Sequence, residues 1–157
     1  KEMRTETILE RLKPFLEAEK IYAPEETLKK IIEIERARMK TLKDFMKSSA
    51  FFFKLPDYET SLLPWKQEPI IKVKTILEKI LAIFEEIATE EFTHAIILKS
   101  LGELAQEEGR GEVFWPLRAA LSGLKASPDP IAIGEALGKE ETLRRLKIAL
   151  SKFNESR

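Results

Sequence analysis

The sequence predicts an all-α protein built as two helical lobes. Apolar residues recur at spacings of three and four along nearly the whole chain, which is the period of an amphipathic helix. No stretch alternates apolar and polar residues for long enough to form a sheet. There is no internal repeat and no low-complexity tract, so we expect antiparallel helices joined by short loops.

Length and composition narrow the class of protein. The 157 residues suit one compact domain or two small lobes, and 43% hydrophobic residues are enough to form a buried core. Lysine and arginine (27) balance aspartate and glutamate (27), which argues against indiscriminate binding of nucleic acid. The absence of cysteine excludes disulfides and thiol catalysis and fits a cytoplasmic protein.

Nothing in the sequence predicts a membrane partner. No apolar run approaches the roughly 20 residues that a membrane span needs. The N-terminus is charged and lacks the apolar segment of a signal peptide. Because the chain begins with Lys1 and not with methionine, we interpret it as a piece of a longer protein.

The first third of the chain predicts three helices. The first has an apolar stripe, a capping box of Thr7 and Glu10 at its start, and a kink or early break at Pro14. The second helix opens at Pro24, a residue suited to a first helical turn. The third is short and begins at Thr41.

Residues 50–69 differ from the rest of the chain. They contain three prolines and several aromatic residues, and their apolar residues follow no clean period. Such a stretch is typical of a packed connector between lobes. We therefore divide the chain into a first lobe at 1–54, a connector at 55–69 and a second lobe at 70–157.

The second lobe predicts five helices, of which three are clear from their apolar period. A long helix spans 70–88. The next begins with Thr89 as its cap and ends near Gly109. The last helix covers 139–153.

The other two helices surround the stretch FWPLRAALSGLKASPDP, in which Arg118 is the one charge in an apolar run. Pro116 suits a first turn, so Arg118 is predicted near the N-terminal end of a helix that Gly123 stops. Ser127 would then cap a short helix opened by Pro128. Free N–H groups at helix starts, together with the planar fork of an arginine, favour a site for a base of a single-stranded RNA loop. The alternative is that Arg118 pairs with a carboxylate between helices.

A second basic group lies in the segment ERARMKTLKDFMK. Four residues at helical spacings form a predicted basic stripe, namely Arg36, Lys40, Lys43 and Lys47. Arg38 points elsewhere, with Glu35 and Asp44 as its nearest acids in sequence. The alternative interpretation is an ordinary solvated helix face.

No residues in the sequence predict a catalytic or metal site. His94 is the single histidine, and a metal site needs several converging ligands, so it is interpreted as a surface or boundary residue. The glutamates occur as sequence neighbours, which point about 100° apart on a helix and do not form a catalytic pair. No phosphate-binding glycine motif is present.

Two motifs together resemble one family. FWPLRAALSGLKASPDP followed by EALGKEETLRRLKIAL closely resembles the C-terminal anticodon-binding region of bacterial glutamyl-tRNA synthetases. ERARMKTLKDF and the following FFF are similar to the family's N-terminal half of that region, so the resemblance covers nearly the whole chain. The matching positions in the first pair of motifs are Pro116, Leu117, Arg118, Ala120, Leu121, Ser122, Gly123, Ser127, Pro128, Leu137, Gly138, Lys139, Glu140, Leu143, Arg145 and Leu146.

The resemblance implies a fold and a partner. The fold is an all-helical cage of two subdomains, as in class I aminoacyl-tRNA synthetases, and the partner is the anticodon loop of tRNA-Glu. The parent enzyme would join glutamate to its tRNA with ATP and magnesium, as a cytoplasmic monomer. Its catalytic domain, with HIGH-like and KMSKS-like motifs, is absent from this chain, which therefore would be no enzyme alone and would bind no cofactor.

The resemblance also assigns roles to single residues. It implies that Arg118 contacts the first anticodon base and that Arg38, or Arg36 after a register slip, reads the third. The first and second bases would be lined by Ser127, Pro128, Pro130 and Ile131. The last two stand where the family often has phenylalanine, so a stacking surface is missing there. An arginine at position 38 is associated with enzymes that discriminate against the tRNA of glutamine; the alternatives are a non-discriminating enzyme or a structural helical domain whose arginines form salt bridges.

Overall fold

The computed structural model describes residues 4–155, and within that range it contains ten α-helices, two short 3₁₀ helices and no β-strand. The all-α prediction is confirmed. The chain divides into two compact units, unit 1 at Lys1–Lys54 and unit 2 at Leu55–Arg157. Residues 55–69 group with unit 2. Within the described range, no helix has both the length and the apolarity to cross a lipid bilayer.

Unit 1 has a core between its first three helices. Helix α1 packs against α2 and α3, and α3 also contacts α2 and α4. The helices are α1 Thr5–Ala18, α2 Glu25–Glu35, α3 Leu42–Ser48 and α4 Ala50–Phe53. The buried apolar residues of these helices follow the helical period and include Ile8, Leu12, Leu16, Leu28, Ile31, Ile32, Phe45, Phe51 and Phe52.

Of the kink or early break predicted at Pro14, the early break is wrong, because α1 continues through that residue to Ala18. An interior proline loses one backbone hydrogen bond and costs about 3 kcal/mol. Leu12 and Leu16, on either side of it, are both buried, and their packing stabilises the continuous helix. Tertiary packing therefore overrides the local preference at this position.

The capping box of unit 1 lies at the third helix and not at the first. Helix α1 begins at Thr5, ahead of Thr7, with no side-chain cap. At α3 the Thr41 hydroxyl accepts from the Asp44 N–H at 3.0 Å, and an Asp44 oxygen accepts from the Thr41 N–H at 3.2 Å. The start of α3 that the sequence predicted at Thr41 is confirmed, whereas the capping box at Thr7 is wrong.

Unit 2 is built around α5, α8 and α10. Helix α10 packs against α5, α8 and α9, while α6 contacts α9 and α7 contacts α8. The helices are α5 Ile70–Glu85, α6 His94–Ser100, α7 Gly102–Glu108, α8 Arg110–Ser122, α9 Pro130–Leu137 and α10 Lys139–Glu155, with 3₁₀ helices at Thr60–Leu62 and Thr89–Glu91. Val73, Ile80, Val113, Leu121 and Leu146 are among the buried residues of this core.

The helix starts predicted at Thr89 and at Ser127 are wrong. Thr89 opens only a 3₁₀ turn, and Thr93 is the residue that caps α6, accepting from the Ile96 N–H at 3.4 Å. The predicted helix to Gly109 is two helices, because the chain breaks at Leu101 between α6 and α7. Ser127 does not cap a helix either. The cap of α9 is Asp129, two residues further on.

A buried arginine ties the end of α8 to α10. Arg145 is only 1% exposed, and its Nη1 donates to the Leu121 carbonyl at 2.6 Å. Its Nε donates to the Glu141 carboxylate at 2.7 Å, so the buried charge has an opposite partner. Gly123 then ends α8 with φ +67°, the left-handed conformation in which side chains are strained. Arg145 and Gly123 together fix where the chain leaves α8.

Candidate nucleic-acid interface

Arg118 lies on the ring of Trp115 and has no acidic partner. The centre of its guanidinium group is 5.5 Å from the centroid of the Trp115 ring, within cation–π range. The Trp115 ring is itself oriented, because its Nε1 donates to the Leu62 carbonyl at 3.1 Å. Across residues 4–155 no ion pair involves Arg118, and its buried Nε has no hydrogen-bond partner. The salt-bridge alternative is therefore not realised at Arg118.

The predicted position of Arg118 at a helix start is wrong. Helix α8 begins at Arg110, so Pro116 lies inside the helix and Arg118 is in its C-terminal half. Backbone N–H groups there are used by the helix itself and are not free for a ligand. Arg118 can therefore contact a ligand only through its side chain. That side chain lies near the C-terminal end of α8, just before the turn of residues 123–129.

That turn is organised by short side chains that bond to its own backbone. The Ser122 hydroxyl donates to the Arg118 carbonyl at 2.8 Å and accepts from the Leu124 N–H at 3.1 Å. The Ser127 hydroxyl donates to the Pro128 carbonyl at 3.1 Å. Ser127 and Pro128 are both half-buried, so part of each side chain remains open to a ligand.

Asp129 links the turn to two helices. One of its carboxylate oxygens accepts from the Ile131 N–H at 2.9 Å, which caps α9. The other lies 2.7 Å from His94 Nε2 at the start of α6. His94 therefore has a local partner, and among the described residues no cluster of acids and histidines of metal-binding size is present.

Pro130 and Ile131 lie in the core of unit 2. Ile131 is 3% exposed and Pro130 is also buried. Neither side chain offers a surface on which a base could stack in this structure. Of the unit 2 residues singled out in the sequence, the structure leaves Arg118, Ser127 and Pro128 partly open.

The basic stripe predicted in unit 1 is wrong as a helix face. Helix α2 ends at Glu35 and α3 begins at Leu42, so Arg36 and Lys40 belong to the intervening turn while Lys43 and Lys47 lie on α3. Arg36 has bonds of its own. Its Nη1 donates to the Thr5 hydroxyl at 3.1 Å and to the Glu33 carboxylate at 3.3 Å.

Arg38 is the more open arginine of this turn, and a buried glutamate holds it. Its side chain is 45% exposed, and its Nη1 lies 3.7 Å from Oε1 of Glu35, which is fully buried. The same Oε1 accepts from the Ser48 hydroxyl at 3.1 Å, while Oε2 has no hydrogen-bond partner. Burial raises the pKa of Glu35, and the charge of Arg38 and the Ser48 bond oppose that rise. The sequence identified Glu35 only as a nearby acid, because nothing in the pattern ERAR marks it as buried.

The comparisons with known proteins agree on one family. A family model described as an anticodon binding domain matches residues 7–150. The glutamate–tRNA ligase of Thermus thermophilus is 37% identical over 154 residues, covering 93% of this chain and 31% of that protein. The glutamate–tRNA ligase of Clostridium tetani is 38% identical over 136 residues, covering 80% of this chain and 26% of that protein.

A solved structure extends the likeness to the fold. The glutamate–tRNA ligase of Elizabethkingia meningosepticum, in complex with its amino acid, matches with a TM-score of 0.83 and 28% identity, over 95% of this chain and 29% of that one. The chain thus spans about three tenths of the length of these relatives. Because the family model covers most of its residues, the chain belongs to the anticodon-binding domain family.

Proposed function

We propose that this chain reads the anticodon loop of tRNA-Glu as the C-terminal part of a glutamyl-tRNA synthetase. The observation that carries the proposal is Arg118, which is held on the Trp115 ring with no acid to neutralise it. Leaving an arginine N–H buried and unpaired costs free energy, and a base acceptor would repay that cost on binding. An arginine in a structural salt bridge would instead have a carboxylate in contact.

At the first anticodon position, Arg118 would donate its planar fork to acceptor atoms of the base. The half-buried Ser127 and Pro128 would flank the first and second bases. The side chains of Pro130 and Ile131 are buried, Pro130 has no N–H, and the Ile131 N–H already donates to Asp129. Those two residues would therefore position the turn at the start of α9 and would not contact a base themselves. The proposed site therefore keeps all the residues that the family resemblance assigns to the first two bases. It limits the role of Pro130 and Ile131.

At the third position, Arg38 would favour cytosine over guanine. The Watson–Crick edge of cytosine offers acceptors to a guanidinium, whereas that of guanine presents N–H groups, which an arginine cannot accept. An unpaired polar group costs about 1–3 kcal/mol, which is roughly one to two decades of selectivity. The ion pair with Glu35 supports this role because it restrains Arg38 while leaving 45% of its side chain exposed. Arg36, bonded to Thr5 and Glu33, is the alternative for this role.

The remaining steps of aminoacylation would belong to the rest of the parent protein. Its catalytic domain would activate glutamate with ATP and magnesium and transfer it to the tRNA, in the cytoplasm and as a monomer. The relatives' names, all glutamate–tRNA ligases, support this assignment. The Glu35–Arg38 ion pair also fits a second candidate, a non-discriminating enzyme in which Arg38 is only structural.

The test is binding of two anticodon stem-loops, one with cytosine and one with guanine as the third anticodon base. Fluorescence anisotropy should show tighter binding of the cytosine form, and Arg38→Gln should remove the preference. Arg36→Gln is the matched variant, and loss of the preference there instead would transfer the role to Arg36. Equal binding of both loops by the unmodified chain would leave RNA binding in place and refute discrimination by Arg38. If neither loop bound at low salt, the whole proposal would be wrong.

A further inference from the structure

Unit 2 contains an aromatic-lined cavity beside Arg118 that the proposed base contacts do not use. Its volume is about 540 Å³, within the range of sites for small organic groups. It lies between the segment 58–64 and the end of α8, and its lining includes two aromatic residues, Tyr58 and Trp115. The turn residues Gly123, Leu124 and Lys125 complete the side that adjoins the proposed RNA surface.

The walls of this cavity are held in place from several directions. The Trp115 ring is fixed by its bond to the Leu62 carbonyl, and Leu62 is itself a wall residue. Lys152 donates to the Tyr58 carbonyl at 2.9 Å, and its ammonium nitrogen is 4.3 Å from the centroid of the Tyr58 ring. A Cβ added at Gly123 would lie 3.0 Å from the Pro56 carbonyl oxygen, so the turn is pressed against this segment. A cavity with fixed walls needs little ordering when it binds.

The chemistry around the cavity fits one unstacked nucleotide. A base of any kind has an apolar face that can lie against an aromatic ring, and its phosphate seeks a cation. Trp115 supplies the ring, and Arg118 sits over that ring with its Nε unpaired. Lys125 is exposed at the wall, where it can reach a phosphate, and Glu59 is the only acid in the lining.

We propose that this cavity receives the base of the loop nucleotide on the 5′ side of the first anticodon base, which Arg118 reads, stacked on Trp115 with its phosphate near Lys125. The inference rests on the proposed function and deepens it, because it assigns a second nucleotide to a site with its own residues. Stacking is indifferent to base identity, so the cavity adds affinity and holds the strand splayed apart. Arg118 then selects the neighbouring base.

The experiment uses the two tryptophans of the chain, Trp65 and Trp115. Trp65→Phe leaves Trp115 as the only tryptophan, and Trp115→Phe leaves only Trp65. Each variant is titrated with the cytosine stem-loop while tryptophan emission and RNA anisotropy are both recorded. We expect the emission of Trp115, and not that of Trp65, to be quenched, with a midpoint equal to that of the anisotropy curve.

A second series measures the stacking directly. Trp115→Leu should weaken binding by about tenfold or more, while Trp115→Phe, which keeps a ring, should lose only a few-fold. A stem-loop with an abasic site on the 5′ side of the base read by Arg118 should bind the unmodified chain and Trp115→Leu equally, because the stacking partner is gone. Circular dichroism checks that the variants fold. If Trp115→Leu does not fold, the abasic stem-loops are measured on the unmodified chain and on Trp115→Phe instead.

The outcomes separate the two proposals. The stem-loop could bind without a change in Trp115 emission, or with the same affinity for every abasic position. Either result would refute the proposed nucleotide in the cavity and leave anticodon binding intact. Absence of binding to any stem-loop overturns both. Quenching together with an affinity loss at one abasic position supports the cavity and identifies its nucleotide.

Discussion

Among the described residues, each unit buries one charged side chain that contacts a segment carrying an arginine proposed to read a base, and the two charges act differently. In unit 1 the buried Glu35 contacts Arg38 directly and restrains it by opposite charge. In unit 2 the buried Arg145 does not pair with Arg118 but holds the Leu121 carbonyl at the end of the same helix. Arg118 is therefore positioned by backbone and ring contacts, and its own charge stays available. We therefore expect the stability of unit 1 to depend on pH through Glu35. The stability of unit 2 should instead depend on the packing around Arg145.

The largest expected effect is on stability, at Arg145. Arg145→Met removes the donor to Leu121 and leaves a buried carbonyl unsatisfied, at a cost of about 1–3 kcal/mol plus the packing lost around it. Chemical denaturation should show a lower free energy of unfolding. Arg144→Met is the matched control, since Arg144 contacts the same Glu141 from an exposed position and should change stability by only about 0.5 kcal/mol. Equal losses in both variants would mean that the tie to α8 contributes nothing.

The next effect is on RNA affinity, at Arg118. Arg118→Gln should weaken binding of the cytosine stem-loop by about 10- to 100-fold, because a charge-assisted hydrogen bond of about 1.5–3 kcal/mol is lost. Its free energy of unfolding should fall by no more than the cation–π contact with Trp115 contributes, about 0.5–1 kcal/mol, since Arg118 has no acidic partner among residues 4–155. Arg110→Gln is the control, because Arg110 lies on the same helix over the ring of Phe114 at 5.1 Å. A similar affinity loss in both variants would mean that Arg118 contributes only general electrostatic attraction and does not bond to a base.

A smaller effect is expected on selectivity, at Glu35. Glu35→Gln keeps a bond to Ser48 possible but removes the charge that restrains Arg38, so the cytosine-to-guanine affinity ratio should fall by about three- to tenfold. Glu33→Gln, on the same helix and in contact with Arg36, should leave the ratio unchanged. If the ratio fell only in Glu33→Gln, the third-base role would belong to Arg36.

The smallest effect is the pH dependence of stability. Burial raises the pKa of Glu35 above its ordinary value of 4.5, so the folded state holds this proton more tightly than the unfolded state. The destabilising contribution of Glu35 therefore grows as pH rises from about 4.5 through the raised pKa, and it is constant above that. The difference in unfolding free energy between the unmodified chain and Glu35→Gln, measured from pH 4 to 8, should show this trend. A flat difference would mean that Glu35 is ionised with its ordinary pKa.

Sequence patterns predicted the fold class well because the helical period runs through almost every segment. They failed at single positions where packing decides, as at Pro14 and Pro116, which lie inside helices. The motifs around Arg118 and Arg38 predicted the family, which the family model confirms. Two contacts could not be read from the sequence. Trp115 bonds to a carbonyl 53 positions away, and Arg145 to one 24 positions away, and no local pattern encodes such distances.

The turn after α8 has two fixed ends with different chemistry. Gly123 holds a left-handed conformation against Pro56, and Asp129 caps the next helix. The five residues between them contribute little to the packing of the core, since Lys125 and Ala126 are exposed and the others are half-buried. A library randomised at 124–128, with both ends kept, would therefore test the proposed base contacts of this turn without unfolding its members. If the turn contacts the anticodon bases as proposed, its five inner residues are also the positions at which a change of base preference would disturb the packed core least.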